Sequence, residues 1–80
     1  MDTPKLVKMA NEIAMFFEAE PERAAALEGI ASHLRRFWEP RMRRALLAYA
    51  ASGGEGLRDS VREALKVHGE RLAPAADAPR

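Results

Sequence analysis

His33-Leu34-Arg35-Arg36-Phe37-Trp38-Glu39-Pro40-Arg41-Met42-Arg43-Arg44 is the stretch that decides how this chain folds. Pro40 has no backbone N–H and disfavours helical geometry at Glu39, so a helix arriving through Leu34 must end near Trp38. The same proline suits the first turn of the helix that follows. The stretch is therefore a helix, a sharp turn and a second helix, with the chain's one tryptophan at the turn. Its five arginines stand against one glutamate, a local charge of +4. Residues 1–32 carry three basic and six acidic side chains, and residues 45–80 carry five of each. The net charge of +1 therefore hides a polarised molecule.

Working outward, hydrophobic periodicity predicts helices over about residues 4–19, 21–37, 40–51 and 57–70. In the first, Thr3 is the expected N-cap and Pro4 suits the first helical position. Leu6, Met9, Ala10, Ile13, Phe16 and Phe17 form its apolar stripe, and Met15 falls among polar residues as a scattered surface side chain. Pro21 separates the first two helices. Leu27, Ile30, Ala31, Leu34, Phe37 and Trp38 form the second stripe. Behind it, Ala25, Gly29 and Ser32 make a strip of small residues. A glycine inside a helix costs about 1 kcal/mol relative to alanine, so Gly29 is read as a point of close packing. The third stripe is Met42, Ala45, Leu46, Tyr49 and Ala50. Ser52-Gly53-Gly54-Glu55-Gly56 ends it. Leu57, Val61, Ala64, Leu65 and His68 face one way on the fourth helix, with Leu72 just beyond. The expected fold is all-α, a small bundle of three to four short helices. It forms a helical domain over 1–72 followed by a disordered tail over 73–80, where two prolines and little apolar surface leave nothing to pack.

Eighty residues make a single domain with a marginal core. There is no cysteine, which excludes a disulfide, an iron–sulfur cluster and a thiol nucleophile on this chain. No apolar run reaches membrane-spanning length, and the opening Asp2-Thr3-Pro4 is not a signal peptide, so a cytoplasmic protein is expected. The two histidines, His33 and His68, lack metal-ligand spacing, and His68 reads as a packed or half-buried residue. Ser32, Ser52 and Ser60 have no triad context. Glu12, Glu18, Glu22 and Glu63 read as solvated helix faces. The Gly53–Gly56 loop lacks the lysine–serine/threonine ending of a phosphate-binding loop and no strand leads into it.

The arginine cluster is the strongest functional signal. Guanidinium groups grip carboxylates or phosphates in bidentate fashion, and arginine beside large aromatics is the usual composition of an interface hot spot. Phe37 and Trp38 read as core anchors, and Arg36, Arg43 and Arg44 as rim residues off the apolar stripes. The candidate partner-binding set is Arg35, Arg36, Phe37, Trp38, Arg41, Arg43 and Arg44. An alternative reading is a small nucleic-acid-binding module using the arginine patch. The −3 charge of residues 1–32 opposes it, because it repels a phosphate backbone.

Three segments carry a family resemblance. Lys5-Leu6-Val7-Lys8-Met9-Ala10-Asn11-Glu12-Ile13, followed by Phe16-Phe17, resembles the delta subunit of soluble NAD-dependent formate dehydrogenases. Gly29-Ile30-Ala31-Ser32-His33-Leu34-Arg35-Arg36-Phe37-Trp38-Glu39-Pro40-Arg41-Met42-Arg43 is similar to that family's most characteristic segment. Val61-Arg62-Glu63-Ala64-Leu65 is a looser match, and Leu57-Arg58-Asp59-Ser60 departs from the serine–proline start common there. The resemblance implies a non-catalytic accessory subunit with no cofactor of its own. It would bind and stabilise, or help mature, a catalytic large subunit holding bis-molybdopterin guanine dinucleotide, with molybdenum or tungsten, and iron–sulfur clusters. Other subunits would carry flavin and the NAD site. The expected partners are those subunits, with neither membrane nor nucleic acid.

On this reading the pure chain carries no stoichiometric molybdenum, tungsten or iron and does not oxidise formate. Metal analysis and a dye-reduction assay on the isolated protein test both, and turnover would refute the accessory reading.

Overall fold

The computed structural model describes residues 2–74. Among them are four α-helices and no strand: α1 (Thr3–Phe17), α2 (Arg23–Phe37), α3 (Pro40–Ala51) and α4 (Asp59–Leu72). Beyond Pro74, the expected disordered tail lies outside the described residues. The first part of that segment is packed: Ala73 caps α4 through its N–H to the Gly69 carbonyl, and Pro74 is buried.

The helix ends follow local chemistry. Asp2, not Thr3, caps α1: its Oδ1 accepts from the Lys5 N–H at 2.9 Å, and Pro4 sits in the first turn. A carboxylate there also meets the positive end of the helix dipole. α2 begins two residues later than expected, because Pro21 and Glu22 stay in the connection and Glu22 takes an extended conformation. α2 ends at Phe37. Trp38 leaves the helix with φ −91° and ψ 140°, its N–H donating to the Leu34 carbonyl. Glu39 is equally extended, and α3 restarts at Pro40.

α2 packs most extensively on α4, and α1 lies against α2, α3 and α4. The core is Leu6, Ala10 and Ala14 of α1, Leu27, Ile30, Ala31 and Leu34 of α2, Trp38, Leu46 of α3, Leu57, and Val61, Ala64, Leu65 and Leu72 of α4. Alanines at Ala10, Ala14, Ala31 and Ala64 let the helix axes approach closely. Gly29 extends that logic within the chain: a β-carbon there would lie 2.4 Å from the Phe17 ring. Met15 stands exposed, as read from the wheel.

Three polar side chains clamp the loop before α4. Asn11 donates from Nδ2 to the Gly56 carbonyl and accepts from the Arg58 N–H, both at 2.9 Å. Tyr49 donates its hydroxyl to the Glu55 carbonyl, and Arg62 donates to the Gly54 and Leu57 carbonyls. Gly53, Gly54 and Gly56 have positive φ, which only glycine adopts without strain. The loop is thus a held connection whose carbonyls are engaged by the protein. At the far end, Arg58 grips both Glu18 oxygens at 2.7 and 2.9 Å, and the buried Ser60 hydroxyl donates to the same carboxylate. Arg23–Glu63 and Arg71–Glu28, each at 2.7 Å, tie α2 to α4. His68 is half-buried, as expected, and breaks the helical geometry of α4 with φ −113° and ψ 17°.

Two outcomes follow. Trp38 is 6% exposed at the α2–α3 turn, so Trp38→Ala should cost about 3–5 kcal/mol, read by denaturant unfolding. Glu18 is the acid-sensitive link. The Arg58 hydrogen bonds, then the Ser60 hydroxyl, lower its carboxyl from an ordinary 4.5 to about 2. A depressed carboxylate stabilises the fold fully above its unfolded value and loses that contribution as pH falls from 4.5 toward 2. Wild type should therefore exceed Glu18→Gln by about 1–3 kcal/mol at neutral pH, and the two should converge in that acid window.

Candidate functional site

The described residues hold no group of three or more His, Cys, Asp or Glu side chains that could bind a metal ion. The chain has no cysteine. An iron–sulfur cluster would find no thiolate on this chain. What the fold does build is a face of unburied apolar side chains on α1, α2 and the start of α3.

That face is an aromatic ladder. Phe16 and Phe17 meet edge to face at 5.1 Å, Phe17 approaches His33 at 6.3 Å, and His33 lies 4.8 Å from Phe37. Beside it an open depression of about 470 Å³ is lined by Met9, Glu12, Ile13, His33, Phe37, Trp38 and Met42. Phe16 is 75% exposed and Phe37 67% exposed. Large apolar side chains gathered on one face, in a chain with so little core to spare, make this face the candidate site. The guanidinium of Arg36 sits 5.6 Å from the Phe37 ring centre, a cation–π contact that places charge at the edge of the apolar strip.

The residues singled out in the sequence divide. Arg35, Arg36, Arg41 and Arg44 are exposed around the Trp38–Pro40 turn. Trp38 is a core anchor whose edge lines the depression, as expected. Phe37 is not a core anchor: it projects into solvent. Two consecutive residues at the end of α2 cannot point the same way, and the turn carries Trp38 inward while Phe37 keeps its outward helical direction.

Arg43 is the second correction. It is not a rim residue but 7% exposed, its Nη1 donating to the Leu72 carbonyl at 3.1 Å. Burial, and then the charge of Arg35, push its guanidinium below the usual arginine range. Its Nε has no hydrogen-bond partner among the described residues. The buried face of α3 runs through Arg43 and Leu46, rotated from the predicted stripe, and Arg43 meets the carbonyl-rich end of α4. A positive charge there is favoured by the helix dipole and caps an otherwise unsatisfied carbonyl. Reversing Arg43 would therefore strike the fold and cannot report on docking.

Phe16 and its neighbours were missed. At about 100° per residue, Leu6, Ala10 and Ala14 centre the buried face of α1, and Phe16 lies about 120° from that centre. The predicted stripe was too wide for one core-facing surface, and that excess width was the available signal. Met9, Ile13 and Phe16 form its outer flank.

A family model described as NADH-dependent formate dehydrogenase delta subunit FdsD matches residues 5–65. The match spans the aromatic ladder, the depression, the arginine turn, the Asn11 clamp and the Glu18–Arg58–Ser60 junction. No curated protein and no solved structure matches. With well over half of its length matched, the chain belongs to the delta-subunit family of NADH-dependent formate dehydrogenases.

Proposed function

We propose that this chain is a non-catalytic subunit of the formate dehydrogenase complex that docks on the catalytic large subunit through the face of Phe16, Phe37 and Arg36. The observation that carries this reading is the contrast between that face and the rest of the surface. Elsewhere Glu18, Glu28 and Glu63 are paired internally with Arg58, Arg71 and Arg23. Around the Trp38–Pro40 turn, Arg36 has an aromatic ring for company and no carboxylate among the described residues. Exposed aromatics with the Arg36 guanidinium at their edge fit a partner surface that is apolar at its centre and acidic at its edge.

In this proposal the bis-molybdopterin guanine dinucleotide, the iron–sulfur clusters, the flavin and the NAD site belong to other subunits, and the delta chain stabilises the catalytic subunit or aids its maturation in the cytoplasm. No helix among the described residues is long and apolar enough to cross a membrane. A delta subunit binding the folded catalytic chain stabilises it by mass action, without supplying any reacting group.

Arg36→Glu combined with Arg41→Glu tests the reading, since both side chains are exposed. Helix content and the melting temperature should stay at wild-type values. Co-purification of the catalytic subunit with the tagged chain should fall at least about tenfold, as expected for breaking charge pairs worth about 2–5 kcal/mol. Full recovery of the catalytic subunit would overturn the docking role. Retention on a nucleic-acid column that the variant loses, with assembly intact, would favour the nucleic-acid alternative.

A further inference from the structure

The depression beside the aromatic ladder has one carboxylate on its walls. Glu12 of α1 lines it, and no lysine or arginine among the described residues does. Glu12 makes no hydrogen bond or ion pair among the described residues, not even with Lys8 one helical turn before it. Where helices meet, by contrast, carboxylates are matched: Glu18 by Arg58, Glu28 by Arg71 and Glu63 by Arg23. The remaining walls are the apolar side chains of Met9, Ile13 and Met42 and the rings of His33, Phe37 and Trp38. A protein surface closing over this depression takes Glu12 out of water. An unpaired carboxylate opposes that transfer, and a cation brought alongside it offsets the cost. A volume of about 470 Å³ leaves room for a long side chain. An alkyl stem suits the methionine and isoleucine walls, and aromatic rings favour a cation beside them.

We infer that one basic side chain of the catalytic subunit, a lysine or arginine, enters this depression and pairs with Glu12. The inference rests on the docking reading above and refines the partner's chemistry. Arg36, over the Phe37 ring, meets the acidic edge of the partner, and Glu12 meets a cation set within its apolar centre. Opposite charges on one apolar face fix a partner's orientation and reject surfaces that present like charge. The basic turn does not exclude a cation here. None of its arginines lines the depression, and the partner's acidic edge offsets their charge in the docked state.

Co-purification of the catalytic subunit with the tagged chain, measured over a salt series, tests this with Glu12→Gln and Glu12→Arg. Glu12 is exposed on α1, so helix content and melting temperature should match wild type. Glu12→Gln should lower recovery about tenfold and Glu12→Arg further, and both losses should shrink as salt is added. The sign of the Glu12→Gln effect separates the occupants. If an apolar side chain fills the depression, the substitution removes a carboxylate that docking buries unpaired, and recovery holds or rises. That result overturns the inference. The Arg36→Glu, Arg41→Glu variant reads the docking face independently. Recovery lost there but kept by Glu12→Gln leaves docking standing and removes only the basic side chain. Full recovery by both variants removes the docking face and this inference with it.

Discussion

Everything in this fold leans on the turn at Trp38-Glu39-Pro40. Pro40 prevents α2 from running on, and the released backbone swings the indole of Trp38 into the core. The same bend brings α3 back across α1 and α4, so that Arg43 reaches the end of α4. It also leaves Phe37 outside, on the last helical turn before the break. One covalent constraint, the missing N–H and fixed ring of a proline, thereby sets the closure of the bundle and the position of its most exposed aromatic face.

Charge is arranged in two different ways on the two sides of the molecule. Where helices meet, it is satisfied. Arg58 and Ser60 hold Glu18 in a junction of α1 with the start of α4, and Arg23–Glu63 and Arg71–Glu28 bridge α2 to α4. The more exposed Arg23–Glu63 and Arg71–Glu28 pairs contribute little energy individually, but they fix register between helices whose packing surface is small. On the aromatic side the charges Glu12 and Arg36 have no such partner among the described residues. In the proposed docking role, that asymmetry separates a surface finished by folding from one left for association.

Of the candidate site, the arginine-rich turn was legible in the sequence, because composition alone exposes a local charge of +4. The aromatic half was not. Phe16 and Phe37 carry the same letters as core residues, and only their angle to Leu6, Ala10 and Ala14, or to the kink at Trp38, decides whether they are packed. Arg43 escaped for the opposite reason. Arginine is rarely buried, and nothing in its neighbourhood along the chain announces that Leu72, far along the sequence, supplies the carbonyl that receives it.

The sequence by itself determined the four helices and the all-α class, since periodicity, prolines and the glycine loop act over a few residues. It determined that no thiolate chemistry resides here, since the chain has no cysteine. It also carried the delta-subunit likeness that the family match bears out. The tertiary structure alone decided which flank of each apolar stripe is core and which is surface. It decided that Trp38 goes in, that Phe37 and Phe16 stay out, and that Arg43 is part of the core's polar closure. The physical reason is that burial belongs to pairs of elements: a helix presents a stripe, but only the neighbour that packs against it chooses which part of the stripe leaves water.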